Sequence, residues 1–371
     1  MESKRILIII QMIRRGGVEL VALNFARSLK SFGHDVSFLL INPDEHNDDE
    51  LMNAVRKEGF EIYTALPSAD SYFKKYLFLA KFFKEHSFDA VHTHVMFFSG
   101  LVSAAAKRAG IKHTAAHSHA SKWNRKENLK FKIYKLVMRF LINSNASELL
   151  ACSVQAGEYL YGKKAFSRRG KVILNGIDCK KFAFNSAVRN EKRKELNVLN
   201  GEILAGHVGT LYYVKNQTFL LDVFSEMLKL NSEAKLVLVG EDVDGDILRA
   251  KARRLGINDK VIFAGQVSDV ERFMQAMDIL IFPSLFEAFP LSLVEAQASN
   301  LPCLISDSVT KSVKINSNVE FLPLSQSAGD WAQKAVSLLS LERKEALNKE
   351  LEKSYDINSC AKALENAILG I

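Results

Sequence analysis

The chain has 371 residues, of which 48% are apolar and 25% are charged, and its formal net charge is +8. This length predicts two domains, each able to bury its own core, and the composition is that of an ordinary globular protein. No apolar stretch approaches the roughly 18–20 residues of a spanning helix, and the four dispersed cysteines lack metal or redox spacing, as expected for free thiols in a reducing cytoplasm.

The positive charge is concentrated in the first half of the chain. Residues 1–200 carry 33 basic and 19 acidic residues, a balance of +14, whereas residues 201–371 carry 17 and 23, a balance of −6. The first half is therefore expected to face an anionic partner. Nucleic acid and an anionic membrane surface are the two candidates.

The first half alternates strands and helices. A buried strand at 5–10 precedes Gly16 and Gly17 and a helix at 20–32. Further predicted strands lie at 36–41, 61–64, 90–92, 113–116, 149–153 and 172–173, with helices at 50–58, 72–86 and 98–109. This alternation predicts a doubly wound parallel sheet. The paired glycines would let the backbone approach a ligand at a helix N terminus, although a plain tight turn explains them equally well.

Two histidine pairs follow successive predicted strands. His92 and His94 follow one strand, and His117 and His119 follow the next. Ligands of such sheets bind beyond the carboxyl ends of the strands, so these side chains are candidates for a site. A metal site usually adds acidic or thiolate ligands, which the two pairs lack, and no metal is expected.

Two stretches combine basic and aromatic residues at helical spacing. Residues 121–143 hold seven Lys or Arg among Trp123, Phe131, Tyr134 and Phe140, and residues 72–86 repeat the pattern. Such stretches are typical of peripheral contact with an anionic membrane. Two ordinary helices with basic outer faces are the alternative.

The second half restarts the alternation after a basic run at 189–194 that is predicted to be a linker and the first surface of the second domain. Predicted strands lie at 204–208, 235–239, 261–263, 279–282 and 303–306. Predicted helices lie at 216–228, 246–255, 270–276, 331–339, 341–351 and 358–369. The acidic residues 241–246 lack the spacing of a calcium loop and are predicted to be a solvated turn.

The most informative stretch is 282–306, which has the pattern strand, loop, helix, strand. Glu287 lies in its loop and Glu295 in its helix. The free backbone N–H groups of a helix N terminus can hold a phosphate, while carboxylates accept hydrogen bonds from hydroxyls. Lys215 precedes another predicted helix and can add a point charge to a diphosphate. Phosphate and polyol recognition together suggest a nucleotide sugar.

The segment E-A-F-P-L-S-L-V-E-A-Q-A-S-N-L-P from Glu287 resembles the signature of the retaining GT-B glycosyltransferases of family 4, the bacterial group that builds capsular and exopolysaccharides. The resemblance implies an α/β fold with two Rossmann-like domains facing each other across a cleft. The first would span 1–183 and face the acceptor, and the second would span 184–354 and bind the nucleotide sugar. A final helix at 355–371 would pack back on the first domain.

The resemblance also implies roles for individual residues. His119, with His117 as the second choice, would stabilise charge at the reacting centre, and Glu287 and Lys215 complete the catalytic set. Glu287 would bind the sugar, Glu295 the ribose, and Lys215 the diphosphate. The expected donor-binding residues are Gly16, Gly17, Gly209, Thr210, Lys215, Glu287, Ala288, Phe289, Pro290, Leu291 and Glu295.

One position departs from the family pattern in a way that bears on activity. Thr210 stands where the family usually has an arginine that clamps the diphosphate, and Ala288 and Asn300 replace common glycines. A charge-assisted contact in a shielded site is worth roughly 2–4 kcal/mol. The departure therefore leaves a non-catalytic glycosyltransferase-like subunit, supporting a partner enzyme, as the alternative to an active enzyme.

The function implied by the resemblance is retaining transfer of a hexosyl unit from a nucleotide-diphospho-sugar, with a UDP-sugar expected, to a lipid-linked saccharide. No cofactor and no metal are expected. The protein would act in the cytoplasm, peripherally on the inner face of the membrane. Nucleic acid is not expected as a partner, because no known reading motif occurs.

Overall fold

The computed structural model describes residues 2–42, 47–64, 71–120, 128–287, 289–341, 343–345 and 348–371. The chain divides into two compact units. The first contains Met1–Gly176 and Ile357–Ile371, and the second contains Ile177–Asp356. The sequence prediction placed the divisions after residues 183 and 354.

The first unit is built on a seven-stranded sheet in which every pairing is parallel. Its strand order, β3-β2-β1-β4-β5-β6-β7, is that of a doubly wound fold. The strands are β1 (Arg5–Ile10), β2 (Asp35–Leu40), β3 (Glu61–Tyr63), β4 (Ala90–Thr93), β5 (His113–Ser118), β6 (Glu148–Ala151) and β7 (Gly170–Val172).

Helices cover this sheet. They are α1 (Gly17–Ser31), α2 (Asp49–Lys57), α3 (Tyr72–Glu85), α4 (Ser99–Arg108), α5 (Leu129–Asn145), α6 (Val154–Tyr161) and α7 (Lys163–Arg169). The central strand β1 begins with the exposed Arg5 and is apolar and buried at its other five positions, as expected for a strand with helices on both faces. α1 buries Val21, Phe25 and Leu29, which lie four residues apart on one helix face.

The second unit contains a six-stranded parallel sheet in the order β10-β9-β8-β11-β12-β13. Its strands are β8 (Leu204–Val208), β9 (Lys235–Val239), β10 (Val261–Gly265), β11 (Ile279–Phe282), β12 (Cys303–Ser306) and β13 (Val319–Leu322). Its helices are α8 (Cys179–Phe182), α9 (Ser186–Glu195), α10 (Gln217–Leu230), α11 (Gly245–Arg254), α12 (Val270–Ala276), α13 (Leu291–Ala298), α14 (Ala328–Leu338) and α15 (Lys349–Tyr355).

The last helix, α16 (Ile357–Leu369), belongs to the first unit, where it packs against α1. A buried hydrogen bond joins it to the residue that precedes β2, since His34 Nε2 lies 2.8 Å from Glu365 Oε1. The Lys4 backbone N–H donates to Nδ1 of His34, so Nε2 carries the proton and donates to the carboxylate. The amino and carboxyl ends of the chain therefore complete one core.

The prediction that residues 189–194 form a linker was wrong, although these residues do belong to the second unit. These residues lie in α9, which Asn185 caps by accepting from the N–H groups of Ala187 and Val188. Arg189 and Arg193 both form ion pairs with Asp278, 2.5 and 3.0 Å away. Local composition suggested a solvated linker because the acidic partner lies far along the chain.

The prediction of one helix at 341–351 was also wrong. Among the described residues, this region is non-helical until α15 begins at Lys349. Asn348 sets this start, because its side chain accepts from the N–H groups of Glu350 and Leu351. The guanidinium of Arg343 instead donates to the backbone carbonyls of residues 274, 275, 277 and 299, which holds it in a non-helical position.

Candidate active site

Two loops at the carboxyl edge of the second sheet are fastened to each other. The first, residues 209–216, follows β8, and the second, residues 283–290, follows β11. The Leu285 N–H donates to the Val214 carbonyl (2.8 Å), and Asn216 Nδ2 donates to the Pro283 carbonyl (3.1 Å). Asn216 adopts the left-handed conformation, with φ of 57°, which asparagine tolerates better than most residues.

The end of β12 supports the second loop. The hydroxyls of Ser306 and Ser308 both donate to the carbonyl of Ser284, at 2.5 and 2.6 Å. Glu287 also forms an isolated parallel bridge with Val309. The backbone that carries Glu287 is thus held from two sides by neighbouring loops.

Within this frame, Lys215 and Glu287 form an ion pair. Lys215 Nζ lies 2.6 Å from Glu287 Oε1, and the two side chains are 20% and 16% exposed. The ammonium also lies 5.1 Å from the centroid of the Phe282 ring, a cation–π contact. Both residues were predicted as site residues from separate segments of the sequence. In the fold they are in direct contact and partly accessible to solvent.

The second loop leads into the N terminus of α13. Pro290 precedes the helix and gives no side-chain cap to its first turn. The first N–H groups of a helix and its dipole attract an anion. Leu291 is the first residue of the helix, and the ring of Phe289 stacks on Tyr355 with centroids 5.9 Å apart. Ala288, also predicted to bind the donor, lies outside the described residues.

Glu295 lies in different surroundings from Glu287. Burial and, to a smaller extent, the nearby carboxylate of Glu271 raise the pKa of its carboxyl to about 7, and Lys181 opposes the change. Lys181 and Glu271 form their own ion pair at 3.2 Å. Glu295 therefore holds a proton over part of the physiological pH range, so it can donate as well as accept a hydrogen bond.

Thr210 and Gly209 form the start of the first loop. The Thr210 carbonyl accepts from Gln217 Nε2 at 3.0 Å, which ties the loop to α10. Gly209 has φ of 152°, a region that favours glycine. Gly240, which follows β9, packs against this loop. A Cβ at this position would lie 2.1 Å from the Gly209 carbonyl oxygen, so this position also requires glycine.

Sequence reasoning missed His207, which lies on β8 below this loop. Its Nδ1 donates to the Ile281 carbonyl (3.0 Å), and its ring stacks on Phe282. Burial lowers the pKa of His207 to about 4, and Nε2 is buried without a hydrogen-bond partner. A histidine inside an apolar strand was the available signal, since a buried polar group in such a strand usually has a structural or chemical role.

In the first unit, Gly16 and Gly17 begin α1. Gly17 is the first helical residue, and Gly16 precedes it without a side-chain cap. The carboxylate of the buried Glu19 lies against Gly16, where an added Cβ would come within 2.4 Å of Oε2. Burial raises the pKa of Glu19, and Arg14 lies 3.6 Å from its carboxylate. A carboxylate therefore already faces the helix N terminus at which a diphosphate was expected.

The two histidine pairs form one cluster at the carboxyl ends of β4 and β5. The register pairs His92 with Ala115, so all four side chains project from the same face of the sheet. Their ring nitrogens are linked by three short contacts: His119 Nε2 to His94 Nδ1 (2.7 Å), His94 Nε2 to His92 Nδ1 (3.3 Å), and His92 Nε2 to His117 Nδ1 (3.0 Å).

Burial keeps the rings of this cluster neutral. It lowers the pKa of His119 to about 4 and lowers those of His92, His94 and His117 well below the usual value. His119 is the least buried of the four. One nitrogen from each of His92, His94 and His117 lies within 4.8 Å of the others, a spacing at which a metal ion could be held.

Comparison with known proteins identifies the class. Residues 15–181 match Glycosyltransferase Family 4, and residues 188–355 match Glycosyl transferases group 1. EpsF of Bacillus subtilis (strain 168), assigned as a glycosyltransferase, is 32% identical over 89% of this chain and 86% of its own length. The capsular polysaccharide biosynthesis glycosyltransferase CapH of Staphylococcus aureus is 26% identical over 79% of this chain and 81% of its own.

Two further proteins bear on the ligands. The UDP-Gal:alpha-D-GlcNAc-diphosphoundecaprenol alpha-1,3-galactosyltransferase of Escherichia coli is 27% identical over 63% of this chain and 62% of its own length. The structure of Anabaena Alr3699/HepE in complex with UDP-glucose superposes with a TM-score of 0.73 at 19% identity, covering 99% of this chain and 95% of that chain.

The fold is therefore GT-B, and the two parallel-sheet domains predicted from the sequence are confirmed. The chain belongs to the glycosyltransferases of family 4. The resemblance stated from the segment beginning at Glu287 is thus confirmed. The roles assigned to individual residues stay predictions.

Proposed function

We propose that this glycosyltransferase moves a hexosyl unit from a UDP-sugar to a lipid-linked saccharide, with retention at the anomeric carbon, in the synthesis of a cell-surface polysaccharide. The observation that carries the proposal is the contact between Lys215 and Glu287 beside the uncapped N terminus of α13. It combines a cation, a hydroxyl acceptor and a helix N terminus in one place.

In this proposal the donor exchanges partners with the ion pair. A diphosphate competes with Glu287 for the ammonium of Lys215. The diphosphate carries more negative charge than the carboxylate, and its oxygens also accept hydrogen bonds from the N–H groups at the start of α13. The freed carboxylate of Glu287 then accepts hydrogen bonds from hydroxyls of the sugar. Glu295, one turn further into α13, would contact the ribose.

The transfer step breaks the bond between the anomeric carbon and the diphosphate oxygen and forms a bond to the acceptor oxygen on the same face. The acceptor's proton passes to the departing phosphate, so no protein nucleophile takes part. Lys215 and the helix N terminus stabilise the charge that develops on the diphosphate. In this scheme no divalent metal or cofactor is required.

His119 would serve this step as a neutral group. With a pKa of about 4 it is uncharged at neutral pH, so it acts through a hydrogen bond rather than through a fixed positive charge. Its ring is the least buried of the four histidine rings, and it is the ring that is proposed to approach the donor sugar. His117 has less exposure than His119 and is placed behind it in this role.

The choice of a UDP-sugar and a lipid-linked acceptor is supported by relatives. One related protein is named for UDP-galactose and a diphosphoundecaprenol acceptor, and a structure of the same fold holds UDP-glucose. CapH is named for capsular polysaccharide synthesis. These ligands are carried to the present chain as part of the proposal.

A surface of the first unit supports the proposed site of action on the inner face of the membrane. We call it the basic-apolar surface, and it consists of exposed residues on α3 and α5. On α5 its apolar members repeat along one helix face: Leu129, Ile133, Leu136, Val137 and Phe140, which are 48–73% exposed. On α3 they are Tyr72, Phe73 and Leu77. Tyr72 stacks on Tyr134, which joins the two helices.

Basic residues border the same surface. Lys130 and Lys132 on α5, and Lys74 on α3, are exposed. A helix with an apolar stripe flanked by lysines can lie in the interface of an anionic bilayer. No helix among the described residues is both long and apolar enough to cross a membrane. The sequence prediction placed this stretch at 121–143, and its first residues, 121–127, lie outside the described residues.

The decisive experiment offers purified protein a panel of UDP-, GDP- and ADP-sugars and measures sugar release and transfer to a polyprenyl-diphosphate saccharide. We expect activity with one UDP-sugar and a fall of at least about 100-fold for Lys215→Ala and for Glu287→Gln. Lys229→Ala, at an exposed lysine on α10, is the matched control and should retain activity. Wild-type rates from either site variant would refute the assignment.

Thr210 favours a second candidate, a subunit that keeps the fold but supports a partner enzyme. It places a neutral side chain where the family usually has an arginine. Such a protein would release no sugar from any donor in the panel, whether or not it binds UDP. The same panel therefore separates the two candidates.

A further inference from the structure

The four histidines at the ends of β4 and β5 form an unbranched chain of hydrogen bonds. Its order is His119, His94, His92, His117, and its three links measure 2.7, 3.3 and 3.0 Å. Each of the two inner rings, His94 and His92, uses both of its nitrogens in these links. The outer nitrogens, Nδ1 of His119 and Nε2 of His117, are the two ends of the chain.

The proton count of this chain restricts its states. A neutral imidazole carries one N–H, so four rings supply four protons. Each of the three links requires one proton, and one proton is left for the two ends. If it lies on Nδ1 of His119, every ring must be the Nδ1–H tautomer, whereas if it lies on Nε2 of His117, every ring must be the Nε2–H tautomer.

Both ends face groups that can accept a hydrogen bond. The carboxamide of Asn175 faces His119, and its Oδ1 is itself buried without a hydrogen-bond partner. The backbone of Ile173 faces His117. One proton therefore serves both ends. The carboxamide of Asn175 can accept through Oδ1 or donate through Nδ2, so the end at His119 can be satisfied in either tautomeric state.

We propose that His119, His94, His92 and His117 form a tautomer-coupled hydrogen-bond wire, in which Nδ1 of His119 and Nε2 of His117 exchange donor and acceptor roles together. His94, His92 and His117 are then positioning residues, which decide whether the outermost ring presents a proton or a lone pair. The bearing of this wire on the donor sugar rests on the proposed function, but the wire itself is a property of the protein without substrate.

The arrangement favours a wire over a metal site. A single ion takes one nitrogen from each ring, and those nitrogens must converge on one point. Here His92 directs Nε2 to His117 and Nδ1 to His94, so its nitrogens serve two different neighbours. Binding an ion to His92, His94 and His117 would break at least one of the three links.

The test is nuclear magnetic resonance of the whole protein labelled with ¹⁵N-histidine, in which the nitrogen shifts distinguish the two tautomers. Single substitutions assign the signals. We expect the four rings to be neutral at pH 7 and to share one value for the fraction of Nδ1–H tautomer. Different fractions in different rings, a protonated ring, or stoichiometric zinc in protein purified without chelator would overturn the proposal.

The substitution His117→Met tests the coupling along the chain. A thioether accepts hydrogen bonds but cannot donate one, so His92 must donate through Nε2. The wire then requires the Nε2–H tautomer at His92, His94 and His119, three rings from the change. His119 in the Nδ1–H tautomer in this variant would contradict the coupling.

The matched control is His86→Met, at a histidine outside the wire that contacts the Phe82 carbonyl. It should leave the tautomers of the four rings unchanged. If His117→Met fails to fold, the spectrum of the unaltered protein still decides the proposal. Because no substrate is added, a failure here is distinct from a failure to transfer sugar.

Discussion

At the scale of single residues, the candidate site depends on a few charges whose partners are far away in the sequence. Lys215 and Glu287 are 72 positions apart and meet at 2.6 Å. Glu295 is influenced by Glu271 on another helix, and Glu19 lies over the start of its own helix. Two predictions follow from residues of this kind.

The first prediction concerns Glu295 and the pH dependence of stability. Its pKa is about 7 in the folded protein, above the ordinary value of 4.5, so between these pH values the folded state binds more protons than the unfolded state. Stability must then fall as pH rises through this window. Relative to Glu295→Gln, the wild-type protein should lose on the order of 2 kcal/mol of unfolding free energy between pH 4.5 and pH 8, measured by urea denaturation.

The control for this prediction is Glu233→Gln, at an exposed glutamate of the same unit. It should follow the wild-type pH profile. A wild-type stability that rises over this window relative to Glu295→Gln would show that the carboxylate form is the one the fold stabilises.

The second prediction concerns Thr210. Replacing it by arginine restores the positive charge usual in the family beside the diphosphate, so Thr210→Arg should bind UDP more tightly and increase turnover by about tenfold or more. Thr210→Val has nearly the same shape as threonine without added charge and serves as the control. If the arginine variant is no faster than the valine variant, this position does not contact the leaving group.

At the scale of elements, sequence periodicity located most strands and helices, because a buried parallel strand is a continuous apolar run and a covering helix has an apolar face. It failed where long-range pairing decides the structure. α9 was taken for a linker because the sequence alone does not show that Asp278 would neutralise Arg189 and Arg193. α15 begins where the side chain of Asn348 caps it rather than where the composition changes.

The third prediction belongs to α5. Ile133 and Leu136 are 53% and 64% exposed on the basic-apolar surface, and inserting each into a bilayer is worth about 1.5–3 kcal/mol. The double variant Ile133→Glu, Leu136→Glu should therefore bind phosphatidylglycerol vesicles at least tenfold more weakly in a sedimentation assay. Ile247→Glu, at a residue 61% exposed on α11 in the second unit, is the control.

The outcome that contradicts this prediction is equal binding of the double variant and the wild-type protein. Equal binding of the wild-type protein to neutral phosphatidylcholine and anionic phosphatidylglycerol vesicles at low salt would also remove the role given to the lysines, since each lysine near an anionic surface contributes about 1 kcal/mol.

At the scale of the whole molecule, the chain builds two units, and the first is completed only by the last helix. α16 buries Cys360, Leu364 and Ile368 in that unit. Burial alone would raise the pKa of the Glu365 carboxyl. Hydrogen bonds from Lys362 and His34 outweigh burial, so the pKa is lowered. The carboxyl-terminal residues are thus part of the amino-terminal core.

The fourth prediction follows from this arrangement. A chain that ends at residue 356 leaves His34 buried without its carboxylate and exposes the apolar face that α16 covers on α1. Hydrogen exchange should show lost protection in β1 and β2, while β8 to β13 keep theirs. Glu365→Gln in the full chain is the milder control. Unchanged protection of β1 in the shortened chain would contradict the prediction.

The sequence by itself determined the two parallel sheets, the strand–loop–helix order around Glu287 and the family, because apolar runs and a nearly contiguous motif are local features of the chain. It also placed four histidines at the ends of two strands. Only the tertiary structure decided that Lys215 contacts Glu287, that the carboxylate of Glu19 lies against Gly16, and that the histidines are joined in one order. These contacts depend on strand register and on loops meeting across the sheet edge, which no local pattern encodes.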